Sequence, residues 1–250
     1  MMSTTGLVLL FAAACPASTF ITNSFSDAFV TTGPGGSSSG KNFGTAGVLG
    51  VSAPGKPQGE FQSVMEFDLS AALNLFNSQF GAGQWSIQSA TLQLHAAPPN
   101  NAIFNAVSAG QFGVSWMQNN AWTEGTGTPA SPGATGITFT SLQSTFINPV
   151  ADENLGTFSF NGATNGVGSY SLALAPGFAS SLLSGGDASL RLFAADSSVS
   201  YLFNSRNFAN SANWPQLSIT AVPEPGSLAL ITAGLVMLAG GQCFIRRSEK

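Results

Sequence analysis

Apolar residues recur at every second position of this chain, in short runs closed by glycine- and serine-rich turns. A period of two fits strands, not helices. From Ala90 to Ala96, the residues Ala90, Leu92, Leu94 and Ala96 share one face, and Thr91, Gln93 and His95 share the other. Val64-Met65-Glu66-Phe67-Asp68-Leu69 sets Met65, Phe67 and Leu69 against Glu66 and Asp68. The pattern returns at 155–160, 170–174, 190–193, 199–203 and 216–222. Gly33 to Gly40 and Asn161-Gly162 read as turns. Two segments, 71–80 and 178–183, are less strand-like, and each fits a short helix or a turn. No internal repeat is evident. Many short strands on glycine-rich connections predict an all-β fold, an antiparallel β-sandwich of jelly-roll type. Met65, Phe67, Leu92 and Leu94 are expected on the inner faces of its two sheets, with Glu66, Asp68, Thr91 and Gln93 in solvent.

The two ends read differently. A helix that spans a bilayer core needs about 20 predominantly apolar residues. The run from Leu228 to Ile245 approaches that length, and Gln242 is its one clearly polar interior residue. Arg246, Arg247 and Lys250 follow and outweigh Glu249. Positive flanks stay cytoplasmic, so a transmembrane helix over 228–245 leaves the body on the extracytoplasmic side. A buried C-terminal core helix is the alternative. At the other end, Gly6 to Ala14 resembles the apolar region of a secretory signal peptide, expected over 1–17. Ala12-Ala13-Ala14-Cys15 also fits a loose lipoprotein box with Cys15 lipidated. The only cysteines, Cys15 and Cys243, lie in these end segments. A domain over 18–221 therefore folds without a disulfide.

Val222-Pro223-Glu224-Pro225-Gly226, followed by one hydrophobic span and a basic tail, resembles the bacterial PEP-CTERM sorting signal, here 222–250. The resemblance implies a transient membrane anchor, cut near Pro223-Glu224-Pro225 by an exosortase-type transpeptidase. It also implies onward passage to the cell surface or extracellular matrix. The body carries a second resemblance, in seven pieces taken in order. These are Ser26-Asp27-Ala28-Phe29-Val30, Asn42-Phe43-Gly44, the strand ending in Phe67-Asp68-Leu69, and Ile87 to Leu94. Trp122-Thr123-Glu124, Ser205-Arg206 and Pro215-Gln216-Leu217 complete the set. Together they resemble the DNRLRE family of secreted β-sandwiches, related to carbohydrate-binding modules. The chain departs from that pattern at Glu66, where relatives often carry a basic or aliphatic residue. It departs again at Asn207, where an acid commonly stands.

Only 7% of all residues are charged. Between Ser18 and Ala221 there are four basic residues (Lys41, Lys56, Arg191 and Arg206) against nine acidic ones. No basic patch exists, so nucleic-acid binding lacks its electrostatic footprint. Direct attraction to an acidic polymer is disfavoured for the same reason. Glu66 and Asp68, roughly 7 Å apart on one strand face, invite a carboxylate-pair glycosidase reading, but a solvated face is the simpler one. His95 is the only histidine and has no nucleophile elbow to serve. Asp152, Glu153, Asp187 and Asp196 in loop contexts are candidate oxygen ligands for a structural calcium ion. Trp122 and Trp214, beside Asn or Thr, are candidate sugar-stacking rings. Arg206 is a candidate partner for Glu124, with an exposed surface arginine as the alternative. The function expected is non-enzymatic: an extracellular or surface protein in contact with the membrane, the processing enzyme and an extracellular polysaccharide. A purely structural or adhesive role is the alternative, and a polysaccharide-processing enzyme the third reading.

Overall fold

The computed structural model describes residues 16–97, 104, 110–160 and 166–224. In chain order the elements are β1 (Ser18–Asn23), β2 (Ser26–Thr31), β3 (Val48–Ser52), β4 (Phe61–Asp68), α1 (Ser70–Phe80) and β5 (Trp85–His95). Then come β6 (Gly110–Met117), a single turn α2 (Phe139–Ser141), β7 (Glu153–Phe160), β8 (Val167–Leu172) and α3 (Pro176–Ser184). The last strands are β9 (Asp187–Ala194), β10 (Ser200–Asn204) and β11 (Gln216–Pro223). The strands form two antiparallel sheets. The smaller has the order β1-β11-β5-β8. The larger has the order β10-β3-β4-β9-β6-β7, and β2 pairs with β4.

The residues that alternation assigns to the core are buried. Met65 and Phe67 of β4 are fully buried, as are Leu92 and Leu94 of β5, and they meet across the gap between the sheets. Phe112, Val114, Leu190, Leu192, Tyr201 and Phe203 join from the larger sheet, and Tyr170, Leu172, Leu217 and Ile219 from the smaller. This core is an antiparallel β-sandwich. Burying each such side chain contributes about 1.5–3 kcal/mol, and the core does this without a disulfide among the described residues.

Both ambiguous segments are helical, and each helix closes the sandwich. Helix α1 buries Ala72 and Phe76, one turn apart, against the core. Asp68 Oδ1 accepts the Ser70 N–H at 2.8 Å, which satisfies one of the free donors at its start. Helix α3 begins at Pro176, buries Phe178 and Leu182, and ends at Gly185 in the left-handed conformation. A Cβ on Gly185 would meet Leu73 Cβ at 2.6 Å, so the two helices approach closely there.

The outer face of the larger sheet is not solvated. The chain between β6 and β7 folds back over it, and Trp122, Ile137 and Leu142 pack on Ala28, Val30, Val64 and Met117. Thr138 and Ser141 form a reciprocal capping box that starts the covering turn. This third layer corrects the expectation for Glu66, which is only 5% exposed although it alternates with core residues. Asp68, at the strand end, is exposed as expected.

Candidate functional site

Four of the separated motifs converge on one polar cluster. Asn42 is fully buried, and all four of its side-chain hydrogen-bonding positions are used. Its Nδ2 donates to Glu124 O at 2.7 Å and Ile137 O at 2.8 Å. Its Oδ1 accepts from Gly44 N at 3.1 Å and Gly127 N at 3.0 Å. Gly125, at φ 76, lies so close to the Asn42 amide that any Cβ there would collide with it. One asparagine thus pins the loop that carries Glu124. The Arg206 guanidinium grips the Glu124 carboxylate from two nitrogens, with Nε at 3.0 Å from both oxygens and Nη2 at 2.5 Å from Oε2. Asn207 donates from Nδ2 to Glu124 Oε1 at 2.6 Å and to Gly44 O at 3.1 Å.

Asp27 lies beneath this pair, fully buried. Its Oδ2 accepts from Ser24 Oγ at 3.0 Å and from the Arg206 backbone N–H at 2.8 Å, while Oδ1 has no partner. Burial pushes its carboxyl up to about 7, against these hydrogen bonds. The cluster is a clamp. Its one ion pair is Arg206 with Glu124.

The structure distributes the remaining candidates. Trp122 is a core residue, 4% exposed, and its indole N–H donates to Ser189 Oγ at 2.9 Å. No ring face is left for a sugar, which corrects that assignment. Trp214 is half-buried two residues before β11, and its N–H donates to Phe208 O at 2.8 Å.

The four proposed calcium ligands do not gather at one site. Asp152 accepts the Gln118 and Asn148 N–H groups, each at 3.0 Å. Glu153 accepts Gly177 N and Phe178 N, each at 2.8 Å, and so caps α3 from a distant strand. Asp196 accepts from Gln111, Ser198 and Val199, and these hydrogen bonds hold its carboxyl below its ordinary value. Asp187 is exposed at the start of β9. Acids in loops look like ion ligands, but three of these serve backbone donors that would otherwise be unmet. Among the described residues, no group of three or more acidic, histidine or cysteine side chains is disposed to hold a metal ion.

Glu66 and Asp68 diverge in environment. Burial, followed by the neighbouring Asp187, pushes Glu66 up to about 7, while hydrogen bonds from Ser70 lower Asp68. The covering layer closes over Glu66, so the pair does not flank a cleft. His95 lies at the end of β5, and burial lowers its pKa. Pro223 is the last residue of β11, and Glu224 donates its N–H to Gln84 O at 2.9 Å. Pro225, the apolar run 228–245, Arg246, Arg247 and Lys250 lie outside the described residues, as does the segment 1–15. Among the described residues no helix is long and apolar enough to cross a membrane.

One surface remains that no sequence motif singled out. The smaller sheet has its inner face in the core and its outer face open. Register places Asn23, Gln216, Gln93 and Ser169 in one row across its four strands, and Ile21, Ser218, Thr91 and Ser171 in the next. A shallow depression of about 260 Å³ spans both rows. Hydroxyl or amide residues at alternate positions of three strands were the available signal.

The chain matches no protein-family model and no curated protein.

Proposed function

We propose that this chain is an exported, non-enzymatic surface or matrix protein. A PEP-CTERM-type tail holds it in the inner membrane until processing, and its β-sandwich binds extracellular polysaccharide. The carrying observation is the order Val222-Pro223-Glu224-Pro225-Gly226, apolar run, basic tail. Its first two residues, Val222 and Pro223, are the last two of β11, the last strand of the described fold. A folded domain followed directly by a short motif and a membrane-length run suits removal of the tail without loss of the fold. The resemblance to the DNRLRE family supports a jelly-roll topology and a carbohydrate-directed role. The clamp around Asn42 supports the same reading, since it joins four of that family's pieces in space.

Two measurements test the export reading. A reporter fused after Lys250 should be inaccessible from the periplasm. Protein extracted from the cell surface should end near Val222–Gly226 by mass spectrometry. A periplasmic reporter signal, or surface protein that retains Leu230 to Met237, overturns it. An exported, processed domain that binds no polysaccharide would leave the adhesive role in its place.

A further inference from the structure

We infer that the outer face of the four-stranded sheet is a docking surface for a neutral polysaccharide chain. The inference deepens the proposed function, and it depends on that reading only for the setting in which such a polymer is met.

The face is a lattice. Residues in a row stand about 4.8 Å apart across strands, and the rows lie about 7 Å apart along them. Asn23, Gln216, Gln93 and Ser169 make the first row, and Ser218, Thr91 and Ser171 fill most of the second. Thr19, Thr220 and Ser89 continue into a third. Among the described residues none of these positions carries a formal charge. His95, at the margin, has its pKa lowered by burial and adds none at neutral pH.

Four observations select the occupant. First, the side chains of Asn23, Gln216, Gln93, Thr91, Ser218, Ser169 and Ser171 make no hydrogen bond to the protein among the described residues. By contrast, the amides of Asn42, Gln58 and Asn207 are each committed to protein partners. A primary amide presents two donors and an acceptor, and a hydroxyl donates and accepts. Such groups match a polymer of hydroxyls, each of which also does both. Second, the face has apolar relief. Ile21 is 58% exposed at the wall of the depression. Trp214 lies two residues before Gln216, half-buried beside the end of the strand that bears the first row. An aliphatic branch and an indole ring suit the C–H faces of sugar rings. Third, a surface without cations has no Coulomb attraction for an acidic polymer. Fourth, the core of a protein–protein interface is more apolar and richer in aromatics than this face.

The test uses the full-length chain in mild detergent, with dextran, a mixed-linkage β-glucan and galactomannan as neutral probes and alginate as the acidic one. Retardation in affinity electrophoresis gives the dissociation constants. The wild-type chain should bind at least one neutral probe, with little change as salt rises. Gln93→Glu is isosteric and turns an amide donor into a charged acceptor, and it should weaken binding at least about tenfold, or about 1.4 kcal/mol. Thr91→Ala combined with Gln93→Ala should do the same, and both variants should melt with the wild type. Trp214→Ala should also weaken binding, but Gln93→Glu decides the question if loss of the Phe208 contact unfolds the loop. If the wild type binds a neutral probe and the face variants keep its affinity within about twofold, the face is the wrong surface and the glycan reading survives. If the wild type binds no neutral probe, or prefers alginate with strong salt dependence, the inference fails. The topology and mass measurements still judge export separately.

Discussion

Replacing Asp27 with asparagine should flatten the pH dependence of stability. Asp27 is fully buried, and its carboxyl is raised from 3.8 to about 7, chiefly by loss of hydration. A rise of that size corresponds to roughly 4 kcal/mol of preference for the acid over the anion in the folded state, at 1.36 kcal/mol per pH unit. The sign follows from proton counting. Between about pH 4 and pH 7 the folded chain holds a proton at Asp27 that the unfolded chain has released. The stability from this group is therefore complete below about pH 4 and is lost as pH rises through about 7. The charges facing Asp27 are Glu124, which opposes its ionisation, and Arg206, which favours it. Their own pairing at 2.5 Å largely cancels their effect. Asp27→Asn keeps an acceptor for Ser24 Oγ and Arg206 N and removes the titration. Its amide N–H groups would stand where Oδ1 now lacks a partner, which costs about 1–3 kcal/mol at every pH. That offset leaves the slope untouched. Denaturant unfolding of a chain spanning Ser18–Glu224, followed by tryptophan fluorescence, measures both proteins across the range. The wild-type stability minus that of the variant should fall by up to about 4 kcal/mol from pH 4 to pH 8. A difference that stays flat would mean that Asp27 ionises normally in the fold, and that burial does not govern it. Glu66, also raised to about 7, loses stability in the same window in both proteins and cancels in the difference.

Other outcomes follow from the packing. Phe67→Ala should destabilise by about 3–5 kcal/mol, since Phe67 is fully buried between the sheets, while Gln93→Ala should change little; both are read from denaturant midpoints. Asn42→Ala strips partners from Glu124 O, Ile137 O, Gly44 N and Gly127 N. It should cost several kcal/mol at about 1–3 per unmet group, and amide exchange should rise in 123–137 ahead of the core strands. Glu153→Ala removes the carboxylate that caps α3, and should cost about 0.5–2 kcal/mol, with the loss of protection centred on Gly177 and Phe178. The chain from Ser18 to Glu224, which contains no cysteine, should melt at the same temperature with and without reductant.

Strand phase was legible because a period of two is a local property. Met65, Phe67, Leu92 and Leu94 could be assigned to the core from their own neighbours. What covers the opposite face is not local. Glu66 sits in the same alternation as Asp68, yet the excursion between β6 and β7 roofs one and leaves the other in solvent. Trp122 misled for a related reason. Asparagine and threonine neighbours suggested a loop tip, but the indole N–H had Ser189 to meet, 67 residues away in sequence. Strand β6 was overlooked although Phe112, Val114 and Trp116 alternate, because glycine and serine fill its outer positions. The pairing of Arg206 with Glu124 was anticipated from the scarcity of basic residues. The four-way use of the Asn42 amide was not, since its partners are backbone groups that carry no sequence signature.

The two polar regions use the same side chains in opposite ways, and that contrast connects fold to function. Around Asn42, that residue's amide and the Arg206–Glu124 pair are committed to protein partners. On the smaller sheet the register holds amides and hydroxyls in order, but the protein leaves their hydrogen-bonding groups to the solvent. The one hydroxyl pair that closes on itself there is Thr19 with Thr220, at 2.9 Å, in the row nearest the point where the tail departs. Ser18 pairs with Ala221, so the chain enters and leaves the sandwich at the same end of this sheet. Trp214 lies at the other end, roughly 23 Å along an extended strand at about 3.3 Å per residue. A tail anchored as proposed would hold the first end toward the bilayer. The open face would then stand to the side, with the row of Gln216 and Gln93 nearest its far end, and a polymer crossing the strands would run parallel to the membrane. Cleavage just after Pro223 would free the domain from that end and keep the β11–β5 pairs up to Pro223 with Trp85.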